Sequence, residues 1–592
     1  MLKIIAVLFS LMVVGLLGSE VRPKVGLVLS GGGARGAAHL GVIKSFEKHH
    51  IPIDAIVGTS MGALIGGLYA SGMSTQKIEK MLLSEPWREI VAKDYKREET
   101  PFRRKTLERD FPAEAKMGIN SKNKLVLPPG LFKKQGMLNL LKRKTYAVRN
   151  IDDFDALKIP FRAVASRLKD GKKQSIKKGS LSEGIYASLA IPGGFEPINI
   201  NGNILIDGGI ADNLPIDVMR KEMDVDYIVV VDISTPYDKN ETFDDYLSVT
   251  GQLVNILMRN NVEQSLESMH GKKNEILLTP NLHGYTPLDI EKYIEIIAIG
   301  EKTAEGAFPE KLAFLEQKQT KTMQPHLVDV PSIDESAPTI DRIEVINDTY
   351  LNKKKILSFL HVKLGEPLNH QQLEEDLQSL YSLMVFDDVS YKMVDENGTQ
   401  ILKIITTPNW DTKGQLRFSF GFEDNMKGHN DYFAKMEYIQ FGLNSYAGEW
   451  RSNLGMGQEN LISTEIYQPL DAYDRFFIRP KLFYRNEKVY LSPNILGNHV
   501  LQANLDDSLN LQAEEYGASL GLGMNVSNNL RLEALGTMKR VRPEVKLLTN
   551  ADESLQFVTD RATADIANVK VGLEYDNLDD AFFPKKGIHA QF

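Results

Sequence analysis

The sequence predicts a three-layer α/β domain, with a parallel-type sheet covered by helices on both faces, followed by a small α+β domain and an all-β domain of membrane type. Three observations indicate this order. From Val25 to about residue 320, apolar strand-like runs alternate with helix-like segments. Residues 339–408 contain a strand, a stretch of helical spacing and two further strands. After Asp411, apolar residues alternate with polar or small ones.

Length and composition limit the number and kind of domains. A chain of 592 residues is too long for one compact core. The formal net charge of -8 gives no reason to expect nucleic acid as a partner, because such proteins usually carry a basic footprint. Cysteine is absent, which excludes disulfides, thiolate nucleophiles and cysteine metal sites.

One region departs from the acidic balance of the chain. Between Arg88 and Lys178 there are 25 Lys or Arg residues and far fewer Asp or Glu residues. Two interpretations stay open: a solvated surface with basic loops, or a patch that meets anionic lipid headgroups.

Residues 1–19 have the layout of a secretory signal peptide. Lys3 precedes an apolar run from Ile4 to Leu17, and the small residues Gly18 and Ser19 follow. A retained membrane anchor is the weaker alternative, because the run is shorter than the roughly 20 residues that a spanning helix needs. We therefore expect the chain to be exported.

The first strand of the α/β domain, VGLVL, leads into a glycine-rich loop, SGGGARG. Gly31, Gly33 and Gly36 fit the dinucleotide-binding pattern G-x-G-x-x-G, so a nucleotide-binding oxidoreductase is one alternative. That fold places an acidic residue at the carboxyl end of the second strand, whereas Asp54 stands before this strand. The other alternative is a loop whose N–H groups stabilise an oxygen that becomes negative during a reaction.

The second strand, AIVGT, ends in a nucleophile elbow. Residues 58–62, GTSMG, fit the pattern G-x-S-x-G between a strand and a helix. Gly58 and Gly62 permit the tight turn that lifts Ser60 out of the sheet, and the amino end of the next helix faces the serine. Ser60 is therefore the candidate nucleophile.

A serine nucleophile needs a base, because a hydroxyl alone is a weak nucleophile near neutral pH. Asp207 is the candidate base: it ends the strand NILI, and Gly208 and Gly209 let the main chain approach a neighbouring loop. A carboxylate with an ordinary pKa of about 4 is a poor base for an alcohol, and the sequence does not explain how the site overcomes this.

The motifs SGGGARG, GTSMG and DGG, together with the run ASLAIPGGFEP at residues 187–197, resemble those of the patatin-like phospholipases. The resemblance covers residues 21–325 and implies a dyad of Ser60 and Asp207 without a histidine. It requires no metal and no cofactor. The resemblance implies that Gly31, Gly32, Gly33 and Arg35 form the oxyanion hole. It also implies that Pro192 shapes the core near the site.

Two polar residues beside these motifs are interpreted as structural. His39 lies on the helix after the glycine loop, where a histidine beside small residues usually satisfies packing and hydrogen bonds. For Asp212, in DGGIAD, we expect a helix N-cap or loop role.

Residues 326–338 are polar and carry two prolines, so they predict a linker to the second domain. In that domain, residues 339–408, the turn residues Asn397 and Gly398 separate two closing strands. The preceding helix is predicted from apolar residues spaced by three and four: Leu373, Leu377, Leu380, Tyr381 and Met384. The order of elements resembles a POTRA domain, the periplasmic module that precedes outer-membrane barrels. Any other small α+β domain is the alternative.

From residue 411 to 592 the alternation predicts membrane strands, with Leu416, Phe418, Phe420 and Phe422 as a first example. A soluble β-sandwich is the alternative. The stretch YDNLDDAFFPKKG, residues 575–587, resembles a turn sequence of Omp85-type outer-membrane β-barrels. These residues suffice for about eight or nine strands. Barrels of that family are larger, so we expect the given sequence to stop before the natural terminus; a terminal aromatic role for Phe592 is the alternative.

The order of signal, patatin-like, POTRA-like and barrel segments resembles the type Vd autotransporters. That resemblance implies an outer-membrane serine hydrolase that cleaves acyl esters of phospholipids, with its hydrolase domain exposed on the cell surface or secreted. The expected partners are an acyl-lipid substrate, the outer membrane, anionic lipid headgroups and a second copy of the chain, but not nucleic acid. The alternative is a translocation or assembly protein whose hydrolase domain stays in the periplasm.

Overall fold

The structure is a computed structural model of the chain. It describes residues 22–87, 90, 96–109, 111, 115–120, 122, 124–127, 130–234, 246–313, 315, 337–409, 414–424, 430–457, 459–491, 509–547 and 563–592. The predicted signal peptide and all but the last two residues of the predicted linker lie outside these ranges. Two compact units are present: residues 1–92 with 129–336, and residues 93–128 with 337–592.

Strands and helices alternate as far as residue 307, as the sequence predicts. In chain order they are β1 (Val25–Leu29), α1 (Ala37–Lys48), β2 (Ala55–Thr59), α2 (Met61–Ala70), α3 (Thr75–Ser84), α4 (Phe102–Arg109), β3 (Ala115–Ile119), β4 (Leu125–Val126), β5 (Gly130–Phe132), α5 (Lys134–Lys144), β6 (Phe161–Arg167), β7 (Lys173–Ile176), α6 (Leu181–Leu189), β8 (Gly193–Phe195), β9 (Ile198–Ile200), β10 (Asn203–Asp207), α7 (Gly209–Asp212), α8 (Ile216–Glu222), β11 (Tyr227–Val231), α9 (Tyr246–Glu267), β12 (Glu275–Leu278) and α10 (Tyr293–Ala307). Of these, α4, β3 and β4 belong to the second unit.

The first unit is built on one sheet with the strand order β12-β11-β1-β2-β6-β10-β9, and β7 pairs with β6. The strands from β12 to β6 are parallel, whereas β10 runs antiparallel to both β6 and β9. The parallel part agrees with the predicted α/β class. The reversal at β10 matters for function, because Asp207 is its last residue.

Alternate residues of the central strands enter two separate cores. Leu27 and Leu29 of β1 pack with helices α1, α2, α6 and α10 in one hydrophobic cluster. Val28 joins residues of α8 and α9, including Val262, in a second cluster. Because successive side chains of a strand point to opposite faces, this division confirms the prediction of helices on both faces.

The second unit contains the predicted small α+β domain. Its elements are β13 (Arg342–Asn347), α11 (Lys353–Leu357), α12 (His370–Tyr381), β14 (Phe386–Glu396) and β15 (Thr399–Pro408). The sheet order is β13-β15-β14. Asn397 and Gly398 have φ of 56° and 84°, the values that a two-residue hairpin turn requires. The predicted helix is present and contains four of its five predicted apolar positions, but it ends at Tyr381, so Met384 lies beyond it with a φ of 62°.

Nine strands follow in the described residues, in agreement with the predicted eight or nine: β16 (Gly414–Asp424), β17 (Asn430–Gln440), β18 (Glu449–Gly457), β19 (Glu459–Pro469), β20 (Phe476–Leu491), β21 (Leu509–Ser527), β22 (Leu530–Leu547), β23 (Ala564–Asp576) and β24 (His589–Gln591). They pair antiparallel in sequence order, and β3 and β4 extend the same sheet beyond β16. We refer to β16–β24 as the strand domain. Among the described residues, no helix is both long enough and apolar enough to cross a bilayer.

The alternation expected of membrane strands is present on the surface of the strand domain. Phe420, Phe422, Leu520 and Val569 expose 71%, 69%, 45% and 76% of their surface. The opposite face carries charged side chains. Two of them, Arg417 and Glu437, form a buried ion pair. One apolar and one polar face are what a sheet between lipid and a polar interior requires.

Candidate active site

Ser60 occupies a sharp turn between β2 and α2. Its φ of 54° and ψ of −123° lie in a region that residues other than glycine rarely adopt. A Cβ at Gly62 would lie 2.3 Å from the carbonyl oxygen of Leu29, and one at Gly58 would lie 2.5 Å from the backbone of Gly62. The turn can therefore pack against β1 only with glycines at these positions, as the predicted elbow requires.

The register of β6 brings Asp207 to this turn. Thr59, the last residue of β2, pairs with Val164, and Asp207 pairs with the next residue, Ala165. Gly208 passes so close to β6 that a Cβ there would lie 2.0 Å from the Val164 carbonyl oxygen. As a result the Ser60 Oγ donates a hydrogen bond to Asp207 Oδ2 over 2.7 Å, although 147 residues separate them.

Asp207 is completely buried. Its Oδ1 accepts a hydrogen bond of 2.7 Å from the Gly209 N–H. Burial raises the pKa of Asp207 to about 6, while the hydrogen bonds from Ser60 and Gly209 act in the opposite direction. A carboxylate with this pKa is a better match for proton transfer near neutral pH than an exposed one.

The glycine-rich loop lies against Ser60, with one departure from expectation. A Cβ at Gly31 would lie 2.9 Å from Ser60 Cβ. The Gly31 N–H, however, donates to the Asn213 carbonyl oxygen over 3.3 Å, and Asn213 Nδ2 donates back to the Gly31 carbonyl oxygen over 3.2 Å. The amide of Gly31 is thus already engaged, which the sequence did not indicate.

Gly33 has a φ of +58°, and a Cβ there would lie 2.6 Å from the Pro287 carbonyl oxygen. That oxygen also accepts the Ala34 N–H over 2.8 Å. Arg35 follows with only 5% of its surface exposed, and its Nε donates to the Gly32 carbonyl oxygen over 3.3 Å. Burial lowers the pKa of Arg35 to about 10, so its guanidinium stays protonated beside the loop.

Three polar residues that the sequence analysis did not single out hold the dyad in place. Ser188 Oγ accepts the Ser60 N–H over 2.8 Å and donates to the Val164 carbonyl oxygen over 2.6 Å. Ser166 Oγ donates to the Asp207 carbonyl oxygen over 2.8 Å. Asn261 of α9 accepts the Asn213 N–H and donates to the Gly209 carbonyl oxygen, both over 2.8 Å. Only Ser188 had a sequence signal, because it lies within ASLAIPGGFEP.

The remaining candidates lie around this centre. His39 is buried, its Nε2 bonds to the Ser30 carbonyl oxygen over 2.8 Å, and burial lowers its pKa to about 4. Asp212 ends α7 instead of capping its start, and it pairs with Lys173 over 2.9 Å. Asp54 bonds to Arg22 and to the Val25 N–H at the start of β1. Pro192 is partly exposed two residues after Ala190, whose carbonyl oxygen accepts the Asp207 N–H.

Family models match three parts of the chain. Residues 27–220 match the patatin-like phospholipase model. Residues 338–408 match the POTRA model described as a surface antigen variable number repeat, and residues 440–592 match the Omp85 superfamily domain.

Among curated proteins, the chain is similar to the lysophospholipase NTE1 of Candida albicans, with 28% identity over 50% of this chain and 21% of that protein. The NTE1 of Cryptococcus neoformans is 31% identical over 37% of this chain and 12% of that protein. The chain therefore spans at most about a fifth of these curated relatives.

Among solved structures, the chain is similar to BamA from Haemophilus ducreyi lacking POTRA domains 1-3, with a TM-score of 0.30 and 16% identity over 43% of this chain and 47% of that chain. It is also similar to VipD from Legionella pneumophila, with a TM-score of 0.26 and 16% identity over 49% and 67%. With TM-scores below 0.5, these likenesses bear on neither the site nor the function.

Proposed function

Because this chain combines a patatin-like phospholipase domain with a POTRA domain and an Omp85 domain, we propose that it is an outer-membrane serine hydrolase of phospholipid acyl esters. The observation that carries this proposal is the hydrogen bond of 2.7 Å between Ser60 Oγ and the buried Asp207 carboxylate. A nucleophile in an elbow, bonded to a base that burial has made more basic, is what acyl transfer requires. We refer to the first unit as the hydrolase domain.

In the first half of the reaction, Ser60 Oγ attacks the ester carbonyl carbon while its proton passes to Asp207 Oδ2. The resulting tetrahedral intermediate collapses, the alcohol leaves with the proton from Asp207, and the acyl group stays on Ser60. In the second half, water gives a proton to Asp207 and attacks the acyl-enzyme. The fatty acid is released, and Ser60 recovers its proton.

The oxyanion of the tetrahedral intermediate needs hydrogen-bond donors that are already in place. The N–H groups of Gly31 and Ala34 are engaged with Asn213 and Pro287. We therefore assign the donor role to the N–H groups of Gly32 and Gly33, and a loop-shaping role to Gly31. Losing one such donor typically raises the barrier by about 2.7 to 4 kcal/mol. Arg35 bonds to the Gly32 carbonyl oxygen and supplies positive charge next to the same loop.

The substrate class rests on the patatin-like match and on the relatives named lysophospholipases. Both point to an acyl ester of a glycerophospholipid. We therefore propose that both lysophospholipids and diacyl phospholipids are substrates.

Ser60→Ala and Asp207→Asn test the mechanism. Each is expected to abolish release of fatty acid from lysophosphatidylcholine and diacyl phosphatidylcholine, because one removes the nucleophile and the other the base. A fluorophosphonate probe should label the unaltered chain at Ser60 and leave Ser60→Ala unlabelled.

Ser71→Ala is the matched control, since Ser71 is a buried serine at the end of α2 whose Oγ, among the described residues, bonds only to the Leu68 carbonyl oxygen. It should keep full activity. Turnover by the Ser60 variant, or modification mapped to another residue, would refute the dyad.

Two placements of the hydrolase domain are compatible with this domain order. In one, the strand domain carries it across the outer membrane to the cell surface; in the other, it stays in the periplasm. Protease added to intact cells distinguishes them, because a surface domain is digested and a periplasmic one is spared.

A further inference from the structure

The side-chain amide of Asn213 carries an oxygen that the proposed mechanism does not use. Asn213 follows α7, and only 2% of its surface is exposed. Its Nδ2 donates to the Gly31 carbonyl oxygen over 3.2 Å. Because a carbonyl oxygen is an acceptor, the nitrogen of the amide must face Gly31, and Oδ1 therefore occupies the other branch of the amide.

Asn213 Oδ1 is buried and, among the described residues, has no hydrogen-bond partner. The main-chain groups of Asn213 are both engaged, since its carbonyl oxygen accepts the Gly31 N–H and its own N–H donates to Asn261. A buried acceptor without a donor is uncommon in a folded protein, because it loses its hydrogen bonds to water and gains none in return. Such an oxygen at a catalytic centre therefore indicates a group that donates to it during the reaction.

Glycines at two positions let Asn213 Oδ1 approach the dyad. A Cβ at Gly31 would lie 2.5 Å from Asn213 Oδ1 and 2.9 Å from Ser60 Cβ. A Cβ at Gly209 would lie 2.9 Å from the same oxygen and 3.0 Å from Asp207 Oδ1. Each of these small spaces is bounded by Asn213 Oδ1 on one side and by a member of the dyad on the other.

The second half of the proposed reaction requires an acceptor of this kind. In the acyl-enzyme Ser60 Oγ has no proton, so Asp207 Oδ2 can receive one of the two protons of the attacking water. The other proton stays on the water oxygen and needs its own acceptor, because a buried O–H group without a partner is unfavourable. Hydrogen bonds through both protons would also orient the water, so that a lone pair of its oxygen faces the acyl carbon.

An alcohol in the same place has one O–H proton fewer than water. That proton passes to Asp207 Oδ2, and the alkyl group of the alcohol, which cannot donate a hydrogen bond, faces Asn213 Oδ1. A site built to bond a particular O–H group rejects the analogue that lacks it, because the polar atom of the site is left unpaired. Asn213 Oδ1 is therefore suited to distinguish water from an alcohol as the acyl acceptor.

We propose that Asn213 Oδ1 binds the hydrolytic water and favours hydrolysis of the acyl-enzyme over acyl transfer to an alcohol. The water oxygen bonds to the acyl carbon while one of its protons passes to Asp207 Oδ2 and the other donates to Asn213 Oδ1. The bond between the acyl carbon and Ser60 Oγ then breaks, Ser60 takes the proton from Asp207, and the fatty acid leaves. This inference rests on the acyl-enzyme of the proposed function.

The products formed in the presence of methanol test this inference. The detergent-solubilised full-length chain is given lysophosphatidylcholine in water with a fixed fraction of methanol, and the fatty acid and its methyl ester are quantified by mass spectrometry. Both products come from one acyl-enzyme, so their ratio depends neither on the rate of acylation nor on the amount of folded protein. Asn213→Leu, which has a similar volume but no acceptor, should raise the ratio of methyl ester to fatty acid about tenfold or more.

Asn213→Asp separates the acceptor from the donor of the amide. It keeps an oxygen in place of Oδ1 but, like Asn213→Leu, it lacks the nitrogen that donates to Gly31. Its ratio of products should stay close to that of the unaltered chain, although a second carboxylate beside Asp207 should slow the reaction. Asn213→Ala also lacks the acceptor and should raise the ratio, so the test does not depend on whether the leucine variant folds.

Ser166→Ala is the matched control for a displaced base. Ser166 Oγ donates to the Asp207 carbonyl oxygen over 2.8 Å and accepts the Ala211 N–H over 3.0 Å. Within the described ranges, its side chain forms no hydrogen bond with Asn213. Its loss should slow the reaction but leave the ratio of methyl ester to fatty acid unchanged.

Three results would overturn the inference: an unchanged ratio in Asn213→Leu or Asn213→Ala, a rise in Asn213→Asp equal to that in Asn213→Leu, or an equal rise in Ser166→Ala. Labelling with a fluorophosphonate distinguishes these results from failure of the proposed function. A chain that is labelled at Ser60 but whose variants keep the original ratio retains the dyad and loses only the role of Asn213. An unaltered chain that is not labelled at Ser60 loses the dyad itself.

Discussion

In the proposed mechanism Asp207 acts as the base without a histidine, and its surroundings are consistent with that role. The carboxylate is fully buried beside Ser60 and receives the Gly209 N–H on its other oxygen. Burial disfavours the charged form and raises the pKa to about 6. An aspartate with an ordinary pKa would be a poor base for the serine hydroxyl, and desolvation of Asp207 makes it a stronger one.

This pKa predicts the pH dependence of catalysis. Only the deprotonated carboxylate accepts the proton of Ser60, so kcat/KM should fall about tenfold for each pH unit below about 6 and level off above it. A pH profile of ester hydrolysis measures the midpoint. A midpoint near the ordinary value of about 4 would contradict the role assigned to burial.

The raised pKa of Asp207 makes stability fall with rising pH, whereas it makes activity rise. A raised pKa means that the folded protein binds the proton more tightly than the unfolded chain. Asp207 thus costs no stability below its ordinary pKa, and the cost appears as the pH rises through about 6. For this reason the difference in Tm between Asp207→Asn and the unaltered protein should shift in favour of the variant as the pH rises from about 4 to about 7.

At the scale of elements, β6 and α9 each position a different part of the site. Strand β6 sets the spacing of the dyad, because Val164 and Ala165 pair with Thr59 and Asp207. Helix α9 reaches the loop after Asp207 through Asn261, which bonds to the main chain of both Asn213 and Gly209. Asn213 in turn holds Gly31, so α9 connects the loop after the base with the glycine-rich loop.

Asn261 is accordingly a positioning residue. Asn261→Ala should lower kcat about tenfold or more with little change in KM, because misplaced catalytic groups raise the barrier without removing substrate contacts. It should also slow labelling of Ser60 by a fluorophosphonate. Asn255→Ala, an exposed asparagine of the same helix, is the control. Equal losses in both variants, or a change confined to Tm, would contradict the assignment.

At the scale of the whole molecule, the two faces of the strand domain define its environment. Large apolar side chains stand exposed on one face, while charged pairs occupy the other. The Omp85 and POTRA matches point to the outer membrane, where such an apolar face is covered by lipid.

Val569, with 76% of its surface exposed, tests this environment. Val569→Arg should reduce the amount of folded protein in the outer-membrane fraction, since a lipid-facing arginine costs about 2 to 4 kcal/mol near the bilayer centre. Val569→Leu keeps the apolar character and should assemble normally. Fractionation and heat-modifiable mobility on gels measure both, and normal assembly of the arginine variant would place this face in water.

Much of the architecture could be predicted because it depends on local patterns. Apolar residues at every second position predicted the strands after Asp411, and apolar residues spaced by three and four predicted α12. The glycines of GTSMG and DGG indicated turns that only small residues permit. The register between β6, β2 and β10 could not be predicted in this way, since pairing between distant strands leaves no local signal. The same holds for Asn261, which appears as an ordinary polar residue of a helix.

Residue type, glycine placement and periodicity were enough to predict the class of each domain, the elbow at Ser60 and Asp207 as the candidate base. The hydrogen bond between Gly31 and Asn213, the raised pKa of Asp207 and the place of residues 96–128 in the second compact unit became visible in the folded chain. Each of these depends on which distant groups come together and exclude water, and contacts across hundreds of residues are set by packing of the folded chain.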